Sequence, residues 1–444
     1  MLLRAPLLWS GGPGRLLFEE DGGLAVGPDG RIVSSGPFAE VIGRHPDAKV
    51  EDLRPCWILP GLIDLHTHLP QYEAVALDGL ELLPWLENHV FPAEARFADP
   101  SHARTVAQRF IRDLLSFGTT TACLYGTVHV EATDAIFRAA ENAGIRAVIG
   151  KAMMDRHAPK ALLEDTDESL RGSEELCQTW HGRDHGRLSY AFTPRFAPAC
   201  SADLMRGAGT LAAKHEAFVQ THISENLQEV EWVRQLYPQA RTYAEVYDHF
   251  GLLGPRTLLG HGIHLGREER DLLRQRGATV VHCPSSNAFL RSGIMPLRRD
   301  LDEGLIVGLG TDVGAGPRLS LFDEMAMACT VSKLRWAGQR TQAARIWGLD
   351  QFDNEQKLYL CDDLGLEPDQ PLDALEAFHL ATRDGAAALG LEDRIGGLDA
   401  GLDADFIVVN PKFSSPPGGG ELDPARVLSR LSTGRTPGWC GQVS

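Results

Sequence analysis

The chain has 444 residues, 43% of them hydrophobic, enough to bury a large core in one big domain or two ordinary ones. Its 60 acidic side chains against 43 basic ones give a formal net charge of −17. That balance repels nucleic-acid phosphates and anionic membrane surfaces at long range, so neither is expected as a partner. The eight cysteines are scattered without a Cys-x-x-Cys pair and read as buried thiols in a reducing compartment. No stretch approaches the length of an apolar membrane span, and residues 1–12 lack the sustained apolar region of a secretion signal. A cytoplasmic protein is expected.

In chain order, residues 16–55 alternate short apolar runs with Gly and Pro turns and predict a small β-rich segment. The same texture returns at Gly401-Leu-Asp-Ala-Asp-Phe-Ile-Val-Val, so residues 1–58 and 396–444 are expected to share one small β domain. Between them, in 59–395, short apolar strands that finish in polar residues alternate with segments of helical length. The eight candidate strands end at Asp64-Leu-His66, Thr121-Ala-Cys-Leu-Tyr125, Ile149-Gly-Lys151, Phe192-Thr-Pro-Arg195, Gln220-Thr-His222, Leu259-Gly-His261, Val281-His282 and Leu309-Gly-Thr-Asp312. Eight such units predict an α/β fold, a (β/α)8 TIM-type barrel with its active site at the carboxyl ends of the strands. A doubly wound open sheet is the alternative.

His66-Thr-His68 places two imidazoles on one face of a strand, within reach of one ion. With 16 histidines in 444 residues, chance alone supplies about half of one such pair, so the motif means little by itself. Weight comes from His222 and Asp312, each at the end of a different strand, because a barrel brings distant strand ends to one mouth. Three imidazoles and a carboxylate suit zinc, with iron(II) possible, and such an ion lowers the pKa of bound water toward neutrality.

Glu225, three residues after His222, can lie beside the ion without binding it and can shuttle a proton. A plain helix-start carboxylate is its alternative. His261, between two glycines at a strand end, can orient the attacking water. Arg195 is the cation among these positions and can grip a carbonyl oxygen, with a buried ion pair as its alternative. Gln71 can donate and accept at once, matching the edge of a heterocycle. The fourth strand carries no lysine for a bridging carbamate, so one ion is expected. His129-Val-Glu131 is not followed by the Pro-Cys-x-x-Cys of the other zinc deaminase fold.

Pro60-Gly-Leu-Ile-Asp-Leu-His-Thr-His resembles the amidohydrolase superfamily. Leu69-Pro-Gln-Tyr72, Phe91-Pro-Ala-Glu94, Phe117-Gly-Thr-Thr-Thr121, Thr193-Pro-Arg-Phe-Ala197, Gln220-Thr-His-Ile-Ser-Glu-Asn226, His282-Cys-Pro284 and Gly308-Leu-Gly-Thr-Asp-Val313 narrow the resemblance to the guanine deaminase family. The resemblance implies a barrel with a small β domain from both termini, one zinc ion, a homodimer, and conversion of guanine and water to xanthine and ammonia. It implies metal binding by His66, His68, His222 and Asp312. Glu225 would move a proton to the purine ring, Asp312 would deprotonate the water and His261 would help hold it. Gln71 and Arg195 would recognise the purine, with Trp85 and Phe196 lining the pocket or serving as core. Residues 351–370 look longer than that family has. Two rival readings are action on another heterocycle, such as 8-oxoguanine, a pterin or a triazine, and a catalytically silent barrel. A silent barrel tends to lose ligands or the proton-shuttling acid, and none is missing here.

Overall fold

The computed structural model describes residues 1–77, 80–347, 370–410 and 423–433. The extra segment expected at 351–370 lies outside them except for Gln370. The chain opens with β1 (Leu2–Gly12), β2 (Arg15–Val26), β3 (Ile32–Pro37), β4 (Val50–Asp52) and β5 (Trp57–Pro60). These join a late strand, β15 (Phe406–Val409), in a six-stranded sheet of order β15-β5-β1-β2-β3, with β4 on β1. Phe406 pairs with Pro60 and Val409 with Trp57, antiparallel. Leu3, Leu7, Ile58, Phe406 and Val408 form its apolar core.

The remaining strands are β6 (Leu62–His68), β7 (Thr119–Tyr125), β8 (Arg146–Gly150), β9 (Ala152–Met153), β10 (Leu188–Pro194), β11 (Phe218–Ile223), β12 (Thr257–His261), β13 (Thr279–His282) and β14 (Ile306–Leu309). They form a parallel sheet of order β14-β13-β12-β11-β10-β8-β7-β6, β9 being a short continuation beside β10. Closure is made by the backbone: Asp312 N–H donates to His66 O at 2.8 Å and His68 N–H to Val313 O at 3.0 Å. The eight-stranded barrel is therefore the fold, and the open doubly wound sheet is set aside. The expected strand ends fall within three residues of the observed ones, because each apolar run stops where the side chains begin to face the mouth.

Ile63, Leu65, Cys123, Val148, Ala191, Phe218, Leu258 and Val281, contributed by β6, β7, β8, β10, β11, β12 and β13, form one buried cluster. Only the barrel interior can bring residues of all these strands together, so the lower barrel is packed solid and the functional volume is confined to the mouth. Helices with one apolar face cover the outside; that of Pro100–Ser116 starts on Asp99, whose side chain accepts from Ser101 N–H, and buries Val106, Phe110 and Leu114. Such a cap contributes about 1 kcal/mol. Cys123, Cys177, Cys200, Cys283 and Cys329 are free and buried, as expected. Among the described residues no helix is long and apolar enough to cross a membrane.

Candidate active site

Strand β6 delivers His66 and His68, β11 delivers His222, β12 ends on His261, and the turn after β14 carries Asp312. His68 Nε2 lies 3.2 Å from His66 Nε2, 3.1 Å from His222 Nε2 and 3.2 Å from Asp312 Oδ1. His66 Nε2 is also 3.2 Å from Asp312 Oδ1. Ligands held about 2.0–2.1 Å from one tetrahedral centre stand about 3.3 Å apart, so these edges have the size of a divalent-metal shell. Two overlapping donor clusters arise, His66, His68 and Asp312, and His66, His222 and His261.

The protonation pattern fits the same purpose. His222 Nδ1 sits 2.6 Å from the backbone oxygen of Arg195. A carbonyl only accepts, so the proton is on Nδ1 and the Nε2 lone pair is free for an ion. Burial lowers the pKa of His66 and His222 and pushes His68 down to about 3, which keeps all three imidazoles neutral. Burial opposes ionisation of Asp312, but hydrogen bonding to His66 and His68 and the charge of His261 outweigh it and hold the carboxyl well below its usual range. Neutral nitrogens face one another across about 3 Å, an arrangement relieved when a cation takes their lone pairs together. The donor set fits a divalent metal ion.

Glu225 is buried, and its Oε2 lies 3.4 Å from His261 Nε2, which is 3.8 Å from Asp312 Oδ2. His261 thus stands between the two carboxyl groups. Burial pushes Glu225 up to about 8, outweighing the neighbouring charge of His261, which lowers it. Burial alone would depress His261, but Glu225 and Asp312 outweigh it and raise the imidazole. Nδ1 of His261 donates to Asn287 Oδ1 at 2.9 Å. The backbone is strained here, with left-handed φ at Ser224 (49°), His261 (74°) and Asp312 (46°), and such strain collects at functional sites. Gly260 is required by packing, since a Cβ there would lie 2.6 Å from His66 Cε1.

Above these groups lies a pocket lined by His68, Gln71, Leu82, Trp85, Leu86, Arg195, Phe196, His222, Glu225, Glu229, His261, Leu290, Asp312 and Ala315. Of the residues singled out in the sequence, His66 alone is not in the lining; it sits beneath, against Tyr125. Trp85 and Phe196 both line the pocket while largely buried, and Trp85 Nε1–H donates to Leu77 O at 3.0 Å.

Sequence reasoning gave no role to several groups that hold this arrangement. Glu94 accepts from Arg195 Nη1 at 2.8 and 2.7 Å and from Gln71 Nε2 at 3.2 Å. Arg195 is thus at once a member of a buried ion pair and a wall of the pocket. Asp64, fully buried, accepts from His66 N–H at 3.2 Å, Thr311 N–H at 3.0 Å and Thr311 Oγ1–H at 2.6 Å. It ties the first ligand strand to the turn that carries Asp312. Ser286 Oγ–H donates to Asp312 Oδ2 at 2.5 Å.

Residues 57–345 match the model of the amidohydrolase family. Guanine deaminase of Escherichia coli strain K12 is 38% identical over 400 residues, covering 89% of this chain and 82% of that protein. Guanine deaminase of Homo sapiens is 35% identical over 405 residues, covering 89% and 83%. A crystal structure of guanine deaminase from C. acetobutylicum, with guanine bound in its active site, superposes with a TM-score of 0.85 at 34% identity, covering 97% of this chain and 95% of that one. The strand-end ligand shell and the pocket above it accord with that kinship: the chain belongs to the amidohydrolase family and, within it, to the guanine deaminases.

Proposed function

We propose that this protein hydrolyses guanine at C2, replacing the exocyclic amine by the oxygen of water to give xanthine and ammonia. The observation that carries the reading is the convergence of His66, His68, His222 and Asp312 beneath one pocket that Glu225, Gln71 and Arg195 line. His66, His68, His222 and Asp312 would hold one divalent ion, for which we propose zinc, with iron(II) as the second candidate. When bound, such an ion supplies Lewis acidity that brings the pKa of water toward neutrality.

The chain's own groups divide the remaining work. Asp312, ionised, accepts a proton from the attacking water, and His261, beside both carboxyl groups, orients that water. Glu225 gives its proton to a ring nitrogen next to the reacting carbon, so the ring does not accumulate negative charge during attack. Asp312 then passes the water's proton to the departing amine, which leaves as ammonia, while the new hydroxyl returns a proton to Glu225 and becomes the C2 carbonyl. Arg195 donates to the ring carbonyl and Gln71 accepts from a ring N–H, while Trp85, Leu82 and Phe196 exclude water from the purine faces. A homodimer in the cytoplasm belongs to the same proposal.

Incubating purified, metal-loaded protein with guanine and following xanthine and ammonia is the test. Stoichiometric appearance of both is expected; no turnover would overturn the reading. Elemental analysis of the same preparation decides between zinc and iron.

A further inference from the structure

We infer that Glu94 is a positioning residue that sets the polarity of the substrate wall: it holds Arg195 as the donor and turns the Gln71 amide so that its oxygen faces the heterocycle. The inference rests on the deaminase reading above. Glu94 lies in the short helix Phe91–Ala95 and is 1% exposed, 101 positions from the arginine it pairs with.

An ionised carboxylate only accepts. Gln71 therefore must present its NH2 to Glu94 Oε1, 3.2 Å away, and the orientation of its amide follows from chemistry rather than from atom labels. Among the described residues no group donates to Gln71 Oε1, and Gln71 lines the pocket. Arg195 uses Nη1 alone on the two oxygens of Glu94, at 2.8 and 2.7 Å. Its other nitrogens donate to no described residue, and the ring of Phe91 lies 5.6 Å from Cζ. The wall thus offers a guanidinium donor beside a single amide acceptor.

A ring edge with a C=O next to an N–H, as in a 6-oxopurine, complements that pattern. An edge with an exocyclic amine next to a bare ring nitrogen presents the reverse and leaves a buried donor facing a donor, which costs far more than a lost contact. Glu94 touches neither pattern directly; it decides which one the wall displays.

E94Q tests this, because the substitution keeps the shape and replaces one acceptor oxygen by NH2. The oxygen stays on Arg195, the NH2 turns toward Gln71, and the Gln71 amide must reverse and show its own NH2 to the pocket. With purified, metal-loaded protein the KM for guanine is expected to rise at least about tenfold, with a smaller change in kcat. E94D, which keeps the charge at shorter reach, is expected to lie between E94Q and wild type. Adding Q71L to E94Q is expected to cost much less than adding it to wild type, because the amide it deletes is already reversed. Bound metal is expected to match wild type, whereas the thermal midpoint falls because Arg195 loses its buried counter-charge; positioning is therefore read from the coupling with Q71L in KM, which a loss of stability alone does not produce.

A KM within about twofold of wild type, or Q71L and E94Q effects that simply multiply, would overturn the inference. Should E94Q fail to fold, the E94D and Q71L cycle reads the same coupling. If wild type leaves guanine untouched and turns over another heterocycle, the functional reading fails, and the same cycle on that substrate still decides the role of Glu94.

Discussion

Two buried ion pairs sit beside neighbouring strands of the barrel, and they differ in what they leave unused. Lys151, between β8 and β9, places Nζ 2.5 Å from Glu164 Oε1 and donates to Ala152 O and Ser169 Oγ at 3.2 Å each. All three donors of the ammonium have acceptors, and Lys151 does not line the pocket. Arg195, just after β10, gives one nitrogen to Glu94 and keeps the rest of its fork at the pocket wall. Both side chains are at most 4% exposed. Burial therefore does not distinguish a functional pair from a structural one. Unused hydrogen-bonding capacity turned toward a cavity does.

The largest expected effect lies below both pairs. Chelation of the metal, or Asp312→Asn, is expected to abolish guanine turnover while leaving the barrel folded, measured by activity beside circular dichroism. Restoration of activity by added zinc after chelation is part of the expectation. Glu225→Gln keeps the metal shell but removes the transferable proton, and kcat is expected to fall by about 10²–10⁴-fold. Unchanged kcat would remove Glu225 from the proton path and leave the pocket with a wall but no acid.

How much of this was readable in the sequence follows from the same contrast. His66 and His68 were visible because a strand repeats every two residues, and His222, His261 and Asp312 because each closes an apolar run. Those signals are local. Glu94 lies in a short helical segment 26 positions after His68, in a stretch with no strand period, and its meaning comes wholly from Arg195 and Gln71 approaching it across the mouth. Asp64 was hidden for a related reason: it stands inside an apolar strand, and its partner Thr311 is 247 positions away. The motif Phe91-Pro-Ala-Glu94 is legible as a string, but nothing in a string says which oxygen receives which nitrogen.

Substituting each cation separates the two pairs. Lys151→Met leaves Glu164 without its buried counter-charge and is expected to cost about 3–5 kcal/mol of stability, seen as a lower thermal midpoint. The KM for guanine in the folded fraction should stay as in wild type. Arg195→Lys preserves the charge but not the fork, which a point-like ammonium cannot supply to Glu94 and a ring carbonyl together. Its expected signature is the converse: kcat/KM for guanine down by about 10–100-fold, roughly 1.5–3 kcal/mol, with a midpoint close to wild type. If Lys151→Met changed KM, or Arg195→Lys changed only stability, the distinction between the two pairs would collapse.

A third acid tests whether unused capacity alone is enough. Asp300 is fully buried, with Arg299 Nε at 3.5 Å and Arg270 Nε at 3.6 Å, yet neither of its oxygens receives a hydrogen bond. Arg270 is turned instead to Glu303, 2.6 Å away. Asp300 faces no part of the active-site pocket, so its unmet capacity can only weigh on stability. Burial raises its pKa from 3.8 to about 6. The folded state then holds a proton that the unfolded state has already released, so stability is highest below about pH 4, falls as pH rises toward about 6, and is flat above. The fall is on the order of 3 kcal/mol, given about 1.4 kcal/mol for each unit of pKa. Asp300→Asn removes the titration, and the gap in stability between variant and wild type is expected to widen in the variant's favour between about pH 4 and about pH 7, with guanine kinetics unchanged. A gap that stays constant over that range would mean that the two arginines satisfy Asp300 at a distance, and that a buried acid needs no hydrogen bond when two guanidinium groups stand within 4 Å.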